Sequence, residues 1–441
     1  MAKKALKKVV IIDAGGRGFA MAEAVEQGGG APIVLPGNAG TILRGWTPKD
    51  VVIPLNHKNE WEELKTFMLK QKATMLVVGS EEYLQKGIID SFMNDGDRKV
   101  REILLVGPTK KAAMLETSKL FAKKFMIEFG IPTASYSAVD SVEEGLHVLE
   151  HTRYHSPYVL KKDGPALGKG VRISTYLGGA KEDMRSLFKE FVTGPVLIEE
   201  FIKGTEFSAI CLTDGNNYKM LPYVKDYKRA QDGDQGPMTG GMGIVSSLPF
   251  ITKRVDDQIH TIINKVIYGM KQRRTPYKGF LYIGCILDIH GHVWVLEINS
   301  RGGDPETENQ LPQIKGDGFM QLLLGVAKNN IDECTIDFER GVSVTLILCS
   351  GGYPGLYEKG KVITGLNQVT NCRVQHAGTA LLADGETIVT SGGRVIALTA
   401  HGADINEARS ICYENEAKIT FDRKTCRTDI GEDILALEAV S

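Results

Sequence analysis

A short polar run at the end of an apolar stretch has the composition of a metal and phosphate site. Residues 292–296 lead into Glu297, Asn299 and Arg301, which strand alternation places on one face. A carboxylate and an amide oxygen side by side suit a hard cation such as Mg²⁺ or Mn²⁺, and a guanidinium can neutralise a phosphate or a carboxylate. Taken alone, the run fits this site and an ordinary polar surface strand equally well.

The residues on either side of this run favour the metal site. Segment 302–307 follows directly with two glycines and two acids, as expected where backbone approaches a ligand closely. Upstream, segments 285–288 and 292–296 are predicted to be antiparallel strands joined through Gly291. Asp288 would then lie near the turn and is not predicted to be a ligand.

Three lysines are candidates for contacts with phosphate. Lys161 ends the apolar run 157–160, and Lys169 lies in a glycine-flanked loop of a kind that can close over phosphates. Lys119 lies near the start of a helix, where an exposed side chain without a ligand is the alternative.

A second apolar run, 196–198, leads into acidic residues that fit a nucleotide pocket. A strand entering a turn between two domains can offer backbone groups to an adenine edge, and a later carboxylate can bind ribose hydroxyls. The candidates are Glu199, Glu200, Phe201 and Glu206. Surface acids are the alternative for Glu199 and Glu200.

A glycine-rich loop at 236–243 follows the charged residues Asp226 and Lys228. Such a loop builds a core poorly but can wrap a small substrate. A flexible surface excursion is the alternative.

The elements that must position these residues begin with an open, doubly wound α/β domain over about the first 110 residues. Its predicted strands and helices are 8–13, 19–27, 32–35, 60–71, 74–78 and 103–106. The turn at Gly15, Gly16 and Arg17 joins the first strand to a helix and is a seat for phosphate, although a tight turn alone also needs glycine.

Further elements follow the same patterns of apolar spacing. The predictions are one amphipathic helix over 115–129, strands at 157–161, 170–175, 195–199, 342–348 and 394–399, and a helix near 404–417. The last hundred or so residues are therefore rich in strands.

Composition bounds the class of protein. The 441 residues suggest three or four domains, and a formal net charge of -1 provides no large positive field for nucleic acid. The seven cysteines lack zinc spacing and predict reduced thiols in a cytoplasmic protein. No apolar run is long enough to span a membrane.

The ordered motifs resemble the phosphoribosylamine–glycine ligases, or glycinamide ribonucleotide synthetases, of the ATP-grasp superfamily. The matching segments are 37–41, 118–119, 161–164, 168–170, 199–201, 226–229, 239–243, 279–282, 297–301, 303–307, 351–355, 376–379, 392–395 and 427–431. They cover essentially the whole chain in order, which is far more specific than any single glycine motif.

The resemblance implies an α/β chain, α+β in parts, with an ATP-grasp fold. The implied parts are an N-terminal doubly wound α/β domain (1–112), an ATP-grasp core (113–133 and 200–335), a lid (134–199) and a C-terminal mixed, β-rich domain (336–441). It also implies a monomer or weak homodimer that binds small molecules only: ATP, an amino acid and an amine.

The implied reaction joins glycine to 5-phosphoribosylamine through an acyl phosphate, with ATP and Mg²⁺ or Mn²⁺ as cofactors. Metal ligands would be Glu297 and Asn299, and ATP contacts would be Lys119, Lys161, Lys169, Glu199, Glu200, Phe201 and Glu206. Catalytic residues would be Arg301, Lys228 and Asp226. Substrate contacts would be Gly16, Arg17, Gly37, Asn38, Gly240, Gly241, Asp304, Gly352 and Arg394.

Three loops depart from the family pattern. Gly18-Phe19 stands where the family has Glu-His, segment 79–84 stands for Gly-Pro-Glu-x-Pro-Leu, and Met238 replaces an asparagine. The first two belong to the domain that helps to bind phosphoribosylamine in this family. A paralogous ligase for another amine or acid therefore stays open. A regulatory nucleotide-binding protein without catalysis is a third hypothesis, against which the intact metal and phosphate residues argue.

Overall fold

The protein is described by a computed structural model over residues 7–48, 60–151, 154–164, 170–191 and 194–438. Lys169, a predicted phosphate contact, lies outside the described residues. Among the described residues, no helix combines the length and apolar character needed to cross a membrane.

A four-stranded parallel sheet in the order β2–β1–β3–β4 forms the first part of the chain. Its elements are β1 (Lys8–Asp13), α1 (Gly16–Gln27), β2 (Ala31–Pro36), α2 (Ala39–Leu43), α3 (Glu60–Gln71), β3 (Met75–Val78), α4 (Glu81–Lys86), α5 (Ile88–Met93), α6 (Arg98–Arg101) and β4 (Leu104–Val106). The strands predicted here are confirmed to within one residue at each end.

Both faces of this sheet are covered by helices. Val9 and Ile11 pack with α1 and with a later helix, Gly318–Lys328, while Val10 and Ile12 pack with α3, α4 and α5. Strands buried on both faces read as continuous apolar runs, which is why β1 is Val-Val-Ile-Ile. The predicted doubly wound α/β domain is confirmed.

The helix predicted over 115–129 is wrong as a single element. The chain forms α7 (Met114–Thr117) and α8 (Lys119–Glu128), and Ser118 between them is extended, with φ -133° and ψ 110°. The Ser118 hydroxyl accepts a hydrogen bond from the Phe121 N–H at 3.0 Å and so caps α8. Apolar spacing continues through this cap, so periodicity alone does not reveal the break.

An antiparallel sheet in the order β5–β8–β6–β7 follows as a small separate layer, here called the lid. Its elements are β5 (Tyr136–Val139), α9 (Val142–His151), β6 (Tyr158–Lys162), β7 (Val171–Ser174), α10 (Leu177–Glu190) and β8 (Val196–Glu199). One apolar cluster, which includes Leu160, Met184 and Ile198, holds the two helices on the sheet.

A ten-stranded sheet, with the order β16–β15–β9–β11–β14–β17–β21–β18 along its main path, forms the core. Its first part contains β9 (Gly204–Thr213), β10 (Tyr218–Met220), β11 (Val224–Asp226), β12 (Arg229–Gln231), β13 (Gln235–Met238), β14 (Gly243–Ser246), α11 (Lys253–Gln272), β15 (Gly279–Asp288), β16 (Val293–Asn299), α12 (Glu306–Gln310) and α13 (Gly318–Lys328). The C-terminal part contains β17 (Val342–Ser350), β18 (Arg373–His376), β19 (Thr379–Leu381), β20 (Ile388–Thr390), β21 (Arg394–Gly402), α14 (Ile405–Glu416), β22 (Lys424–Thr425) and α15 (Glu432–Glu438). Strands β12 and β13 pair outside this sheet, as do β19 and β20.

This sheet runs without interruption through the predicted boundary at 335/336. Strand β14 pairs with β17 antiparallel, so the predicted core and the predicted C-terminal domain share one hydrogen-bonded layer. The four-part division stays a prediction.

His376, at the end of β18, packs the C-terminal part onto the first domain. Its ring lies 5.7 Å from that of Phe19, and its carbonyl accepts a hydrogen bond from Asn38 Nδ2 at 2.8 Å. The ring is 8% exposed, and burial lowers the pKa of His376 to about 4.

We expect this burial to make stability depend on pH. An unfolded histidine titrates near pH 6.5. Between pH 6.5 and pH 4 the unfolded chain therefore binds more protons than the folded chain, and the free energy of unfolding decreases as the pH is lowered. From pH 7 to pH 5 the loss from His376 is about 2 kcal/mol. Thermal unfolding midpoints of the wild type and His376→Gln at both pH values check this. An equal drop in the two proteins would contradict the assignment.

Candidate active site

The polar run that ends β16 is turned away from the core by a β-bulge. Gly284 of β15 pairs with Glu297, but Cys285 pairs with Val295, so Leu296 is an extra residue in the ladder. Val293, Val295 and Ile298 all belong to the main apolar cluster. Strict alternation would put Glu297 on the same buried face as Val295, and the bulge prevents this.

The bulge places Glu297 and Asn299 together, as predicted, although simple alternation does not account for it. Asn299 Nδ2 donates to Glu297 Oε1 at 3.2 Å. A Cβ on Gly284 would lie 2.9 Å from Glu297 Cγ, so the absence of a side chain there makes room for the carboxylate. Arg301 lies beyond the end of the strand and does not continue its face.

Three lysines converge on Glu297 from different elements. Burial opposes ionisation of Glu297, but the ammonium groups of Lys228 and Lys161, with a smaller contribution from Lys119, hold its pKa at about 2. Burial and the Lys161 ammonium lower the pKa of Lys119 against the attraction of Glu297. Burial opposes the charge on Lys228 too, but Tyr282, Glu297 and other nearby acidic groups raise its pKa well above the usual value. The carboxylate is therefore charged at neutral pH in a strongly cationic setting.

The donor set of Glu297 and Asn299 fits a cation shared with a substrate. Within the described part of the chain, no three His, Cys, Asp or Glu side chains are grouped to hold a metal ion. Mg²⁺ is commonly bound by one or two protein oxygens, with substrate phosphates and water completing its shell. One carboxylate and one amide oxygen beside phosphate-binding lysines match that mode.

A buried ion cluster connects the lid to the core. Glu199, at the end of lid strand β8, pairs through Oε2 with Lys161 Nζ at 2.9 Å and Lys123 Nζ at 3.1 Å. Lys161 also donates to the Leu296 carbonyl at 3.2 Å, which is the bulge residue next to Glu297. Lys123 donates to Thr133 Oγ1 at 2.8 Å at the entry to the lid. The ion cluster therefore connects the entry to the lid with β16, the strand that carries Glu297 and Asn299.

Lys119 contacts the lid from α8. Its Nζ donates to the Gly164 carbonyl at 3.2 Å, just before the segment that contains Lys169. Asp163 accepts from the Leu120 N–H at 3.2 Å and so holds the start of α8 against the lid. This contact places Lys119 between the lid and Glu297.

The glycine-rich loop closes over Asp226 and Arg394. A Cβ on Gly241 would lie 2.6 Å from Asp226 Oδ1, and one on Gly240 would lie 2.9 Å from Arg394 Cζ. Thr239 anchors the loop by donating its N–H to the Lys228 carbonyl at 2.7 Å. The glycines are thus required by close approach to charged side chains.

Asp226 is a carboxylate in an unusual electrostatic position. Its Oδ1 is buried and has no hydrogen-bond partner among the described residues. Burial and the Glu306 carboxylate raise its pKa well above the usual range, against the attraction of Lys228 and Arg394. A carboxylate whose pKa is raised is a stronger base than an ordinary exposed one.

A second charged cluster lies between the first domain and the core. Arg301 Nε is 3.2 Å from both Glu81 Oε2 and Glu116 Oε1, and Arg394 Nη2 is 2.8 Å from Asp304 Oδ1. The Arg17 guanidinium also attracts Asp304, whose pKa is lowered despite burial. These residues come from all three larger parts of the chain.

Comparisons with known proteins identify the family. Family models described as phosphoribosylglycinamide synthetase match residues 7–116 (N domain), 117–307 (ATP-grasp (A) domain) and 343–433 (C domain). A phosphoribosylamine–glycine ligase of Caldanaerobacter subterraneus subsp. tengcongensis is 39% identical over 431 residues, 96% of this chain and 99% of the relative. This chain belongs to the phosphoribosylglycinamide synthetase family.

Solved structures agree with the family. The phosphoribosylamine–glycine ligase of Thermotoga maritima matches with a TM-score of 0.80 and 34% identity, covering 96% of this chain and 99% of that chain. A biotin carboxylase domain of Hydrogenobacter thermophilus 2-oxoglutarate carboxylase matches with a TM-score of 0.72 at 17% identity, covering 96% and 92%, and shows a shared fold alone. The predicted ATP-grasp fold and the predicted family of ATP-dependent ligases are confirmed.

Several predicted substrate contacts of this family member have structural roles in the fold. Asn38 caps α2 by accepting from the Thr41 N–H at 3.2 Å, and Gly37 has a φ of +76° with no room for a side chain beside Thr47. Gly352, with a φ of +105°, shapes the turn before Tyr353. Their contacts with substrate stay predictions.

The predicted adenosine residues occupy different environments. Glu199 lies in the ion cluster described above, whereas Glu200 and Phe201 line a cavity of about 480 Å³ with Tyr154 and Pro157. Glu206 is exposed on β9. Another cavity, of about 630 Å³, lies along α11 and the edge of β16, beside Pro132 and Val293, and includes none of the predicted site residues.

Sequence reasoning missed four residues that shape the site. Lys123 lies between the buried residues Ala122 and Met126 of α8, and a lysine on a buried face requires an acidic partner, which is the signal that could have revealed it. Glu116 accepts from the Ser300 N–H and hydroxyl, both at 2.7 Å, and pairs with Arg301. The remaining two, Tyr282 and Glu306, lie in the family-matching segments 279–282 and 303–307 but were given no role of their own. A 3.0 Å hydrogen bond from the Tyr282 phenol joins them.

Proposed function

We propose that this chain is an ATP-dependent ligase that joins glycine to 5-phosphoribosylamine, giving glycinamide ribonucleotide, ADP and phosphate in purine biosynthesis. The observation that carries the proposal is the junction of lid and core, where Glu297 and Asn299 lie among three lysines. A carboxylate is a poor electrophile, and transfer of a phosphoryl group from ATP gives it a leaving group. Alignment and charge neutralisation then account for most of the catalysis.

In this proposal Glu297 and Asn299 hold Mg²⁺, or Mn²⁺, and the amide of Asn299 presents its oxygen to the ion. When bound, the ion neutralises charge on the phosphates of ATP. The low pKa of Glu297 keeps the carboxylate ionised at neutral pH, and so available as a ligand.

The lysines of α8 and of the lid are assigned to ATP binding. Lys119 and Lys161, with Lys169 between β6 and β7 in the sequence, contact phosphates. Glu200 and Phe201 line the cavity proposed for adenosine. Glu206, which is exposed on β9, is assigned to ribose hydroxyls. Glu199 keeps one buried oxygen, Oε1, without a hydrogen-bond partner among the described residues, so it can accept from the nucleotide.

Asp226, Lys228 and Arg301 are assigned to the reacting groups. Lys228 and Arg301 neutralise charge that develops during phosphoryl transfer and during attack on the acyl phosphate. Asp226, whose pKa is raised, takes the proton that the attacking amine releases. Lys228 links the steps, because it attracts both Glu297 and Asp226.

The substrates are assigned to the cleft between the first domain, the core and the C-terminal part. Arg17, Asp304 and Arg394 supply charge there. Gly16, Gly240 and Gly241 are assigned to substrate contacts at the wall of the cleft, where their missing side chains leave room for Glu308, Arg394 and Asp226. Gly37, Asn38 and Gly352 are assigned to the rim of the same cleft through the turns that they form.

A second candidate is a paralogous ligase for a different amine or acid. The observation that favours it is the first loop, where Gly18 and Phe19 replace an acid and a histidine. Phe19 is buried against Trp46 at a ring distance of 5.2 Å, so it offers no polar group to a substrate.

We also propose the four-part division at 1–112, 113–133 with 200–335, 134–199 and 336–441. In this proposal the protein acts in the cytoplasm as a monomer or weak homodimer, without a nucleic acid or membrane partner.

One assay separates these functions. The purified chain is given ATP, Mg²⁺ and glycine with freshly generated phosphoribosylamine, and then a panel of other acids and amines, while ADP is measured. We expect ADP only with the purine pair. Turnover with another pair alone would replace the proposal by the paralogue. ATP binding without turnover on any pair would favour a regulatory protein.

A further inference from the structure

The first strand ends in a buried carboxylate to which the proposed mechanism gives no task. Asp13, the last residue of β1, is 3% exposed. Its Oδ1 accepts from the Gly15 N–H and its Oδ2 accepts from Arg17 Nε, both at 2.7 Å. A charge buried at this depth is costly unless it is paired, and Arg17 is the cation that pairs with it.

Glycines leave the space that Asp13 fills. A Cβ on Gly18 would lie 2.6 Å from Asp13 Cβ, and a Cβ on Gly79 would lie 2.6 Å from Asp13 Oδ2. Neither glycine has a positive φ, so their backbone conformations would accept a side chain. Asp13 itself is therefore what excludes a side chain at position 18.

The position of Asp13 in the sheet is that of a ligand-binding residue. Strand β1 has β2 on one side and β3 on the other, both parallel to it. Ligands of open α/β sheets bind outside the carboxyl ends of the strands, where the order of connections changes direction. Asp13 ends β1 and Gly79 follows β3 directly, so both border that crevice.

Arg17 connects Asp13 to the cleft between the first domain and the core. Its Nη1 donates to the Gly302 carbonyl at 3.1 Å, directly after Arg301, and its Nη2 lies 3.8 Å from Glu81 Oε2. The Arg17 guanidinium also attracts Asp304. Fixing Arg17 therefore fixes the charge pattern between the first domain and the core.

We propose that Asp13 is a positioning residue for the amine substrate, which orients Arg17 and the first turn of α1 towards the cleft. In this proposal, which rests on the proposed function, the acid belonging to this loop comes from the strand at position 13 and not from the helix at position 18. Positions 13 and 18 form one unit, because only one of them can carry a side chain.

The test is a reciprocal exchange. Asp13→Asn keeps the volume but removes the charge, and we expect it to raise the KM for the amine by about tenfold or more, as for loss of a charged hydrogen bond. The KM for ATP should stay within about twofold of the wild-type value. The double variant Asp13→Gly with Gly18→Glu should recover most of the activity that Asp13→Gly alone or Gly18→Glu alone loses. Asp13→Gly alone leaves a void, and Gly18→Glu alone brings a side chain into contact with Asp13.

Controls separate this inference from the proposed function. Asp97→Asn is the matched control, since Asp97 is an exposed cap of α6 and asparagine caps as well as aspartate. Calorimetric titration with ribose 5-phosphate, a stable fragment of the amine, gives a second readout that needs no turnover.

The outcomes are distinct. Weaker binding of ribose 5-phosphate by Asp13→Asn supports the positioning role even if the wild type turns over another amine. An unchanged amine KM and unchanged binding in Asp13→Asn would overturn the role. Failure of the double variant to exceed both single variants would overturn the linkage of positions 13 and 18. If the wild type binds no ribose 5-phosphate and does not turn over phosphoribosylamine, both the positioning role and the proposed function are overturned.

Discussion

Replacing Glu297 by glutamine is expected to lower the rate of ligation by about a thousandfold or more. The Glu297 carboxylate is the negative charge around which Lys228, Lys161 and Lys119 are gathered. Its removal deletes the proposed ionic ligand for the metal and leaves three ammonium groups without their shared partner. Removing one preorganised group that stabilises charge in a transition state typically costs about 10² to 10³ in kcat, and here the proposed ionic ligand of the metal is lost as well.

The measurement is ADP release at saturating ATP and varied Mg²⁺. Glutamine keeps the shape of the side chain, so circular dichroism and the thermal midpoint should show a folded protein. Glu102→Gln is the matched control, because Glu102 is 60% exposed and pairs with Arg98 on the surface. Near-wild-type turnover of Glu297→Gln would refute the metal assignment.

The sequence was sufficient where a local pattern determines the structure. The apolar run 8–13 predicted a buried strand, and Gly15-Gly16 after it predicted a turn into a helix; the structure has both. The Glu297-x-Asn299 pair was proposed from the chemistry of two neighbouring oxygens, and its neighbours and its match to the family favoured a metal site over a polar surface strand.

Long-range contacts explain most of what the sequence could not predict. The bulge at Leu296 appears only when β16 is paired with β15, because its extra residue is defined by the partner strand. The break at Ser118 depends on a cap in place of continued helix. Lys123 and Glu199 are distant in sequence, so their ion pair is invisible until the lid and α8 are brought together.

The first loop shows a different limit. Gly18 reads in the sequence as the loss of an acid, and nothing nearby in the pattern indicates a replacement. In the structure Asp13, at the end of β1, occupies the space that a side chain at position 18 would need. A motif can therefore lack an acidic residue at one position while a carboxylate from another position supplies the negative charge.

Replacing Lys228 by methionine is expected to lower kcat by about a hundredfold or more. Lys228 attracts Tyr282, Glu297 and Asp226, and its raised pKa keeps it charged throughout the working range. Methionine fills a similar volume without charge, so the acidic groups lose the cation that balances them. A hydrogen bond or ion pair to a buried charge is worth roughly 1.5–3 kcal/mol before the cost of leaving its partner unpaired.

The pH profile distinguishes a catalytic charge from a structural one. Burial and Glu306 raise the pKa of Asp226, while Lys228 lowers it. Without Lys228 the pKa of Asp226 rises further. Since ionised Asp226 is the proposed proton acceptor, activity should begin to fall at a higher pH as the medium is acidified. Lys228→Arg, which keeps the charge, should retain the wild-type acid limb even if its kcat is lower.

Lys253→Met is the matched control for this change, because Lys253 is 81% exposed on α11 and pairs with a surface acid, Asp257. A Lys228→Met protein that loses kcat with an unchanged acid limb would contradict the proposed link between Lys228 and the titration of Asp226. A shifted acid limb would instead show that Lys228 influences the titration of Asp226, the proposed proton acceptor, while it also attracts Glu297. The two ends of the reaction, activation of the acid and attack by the amine, would then depend on a single ammonium group.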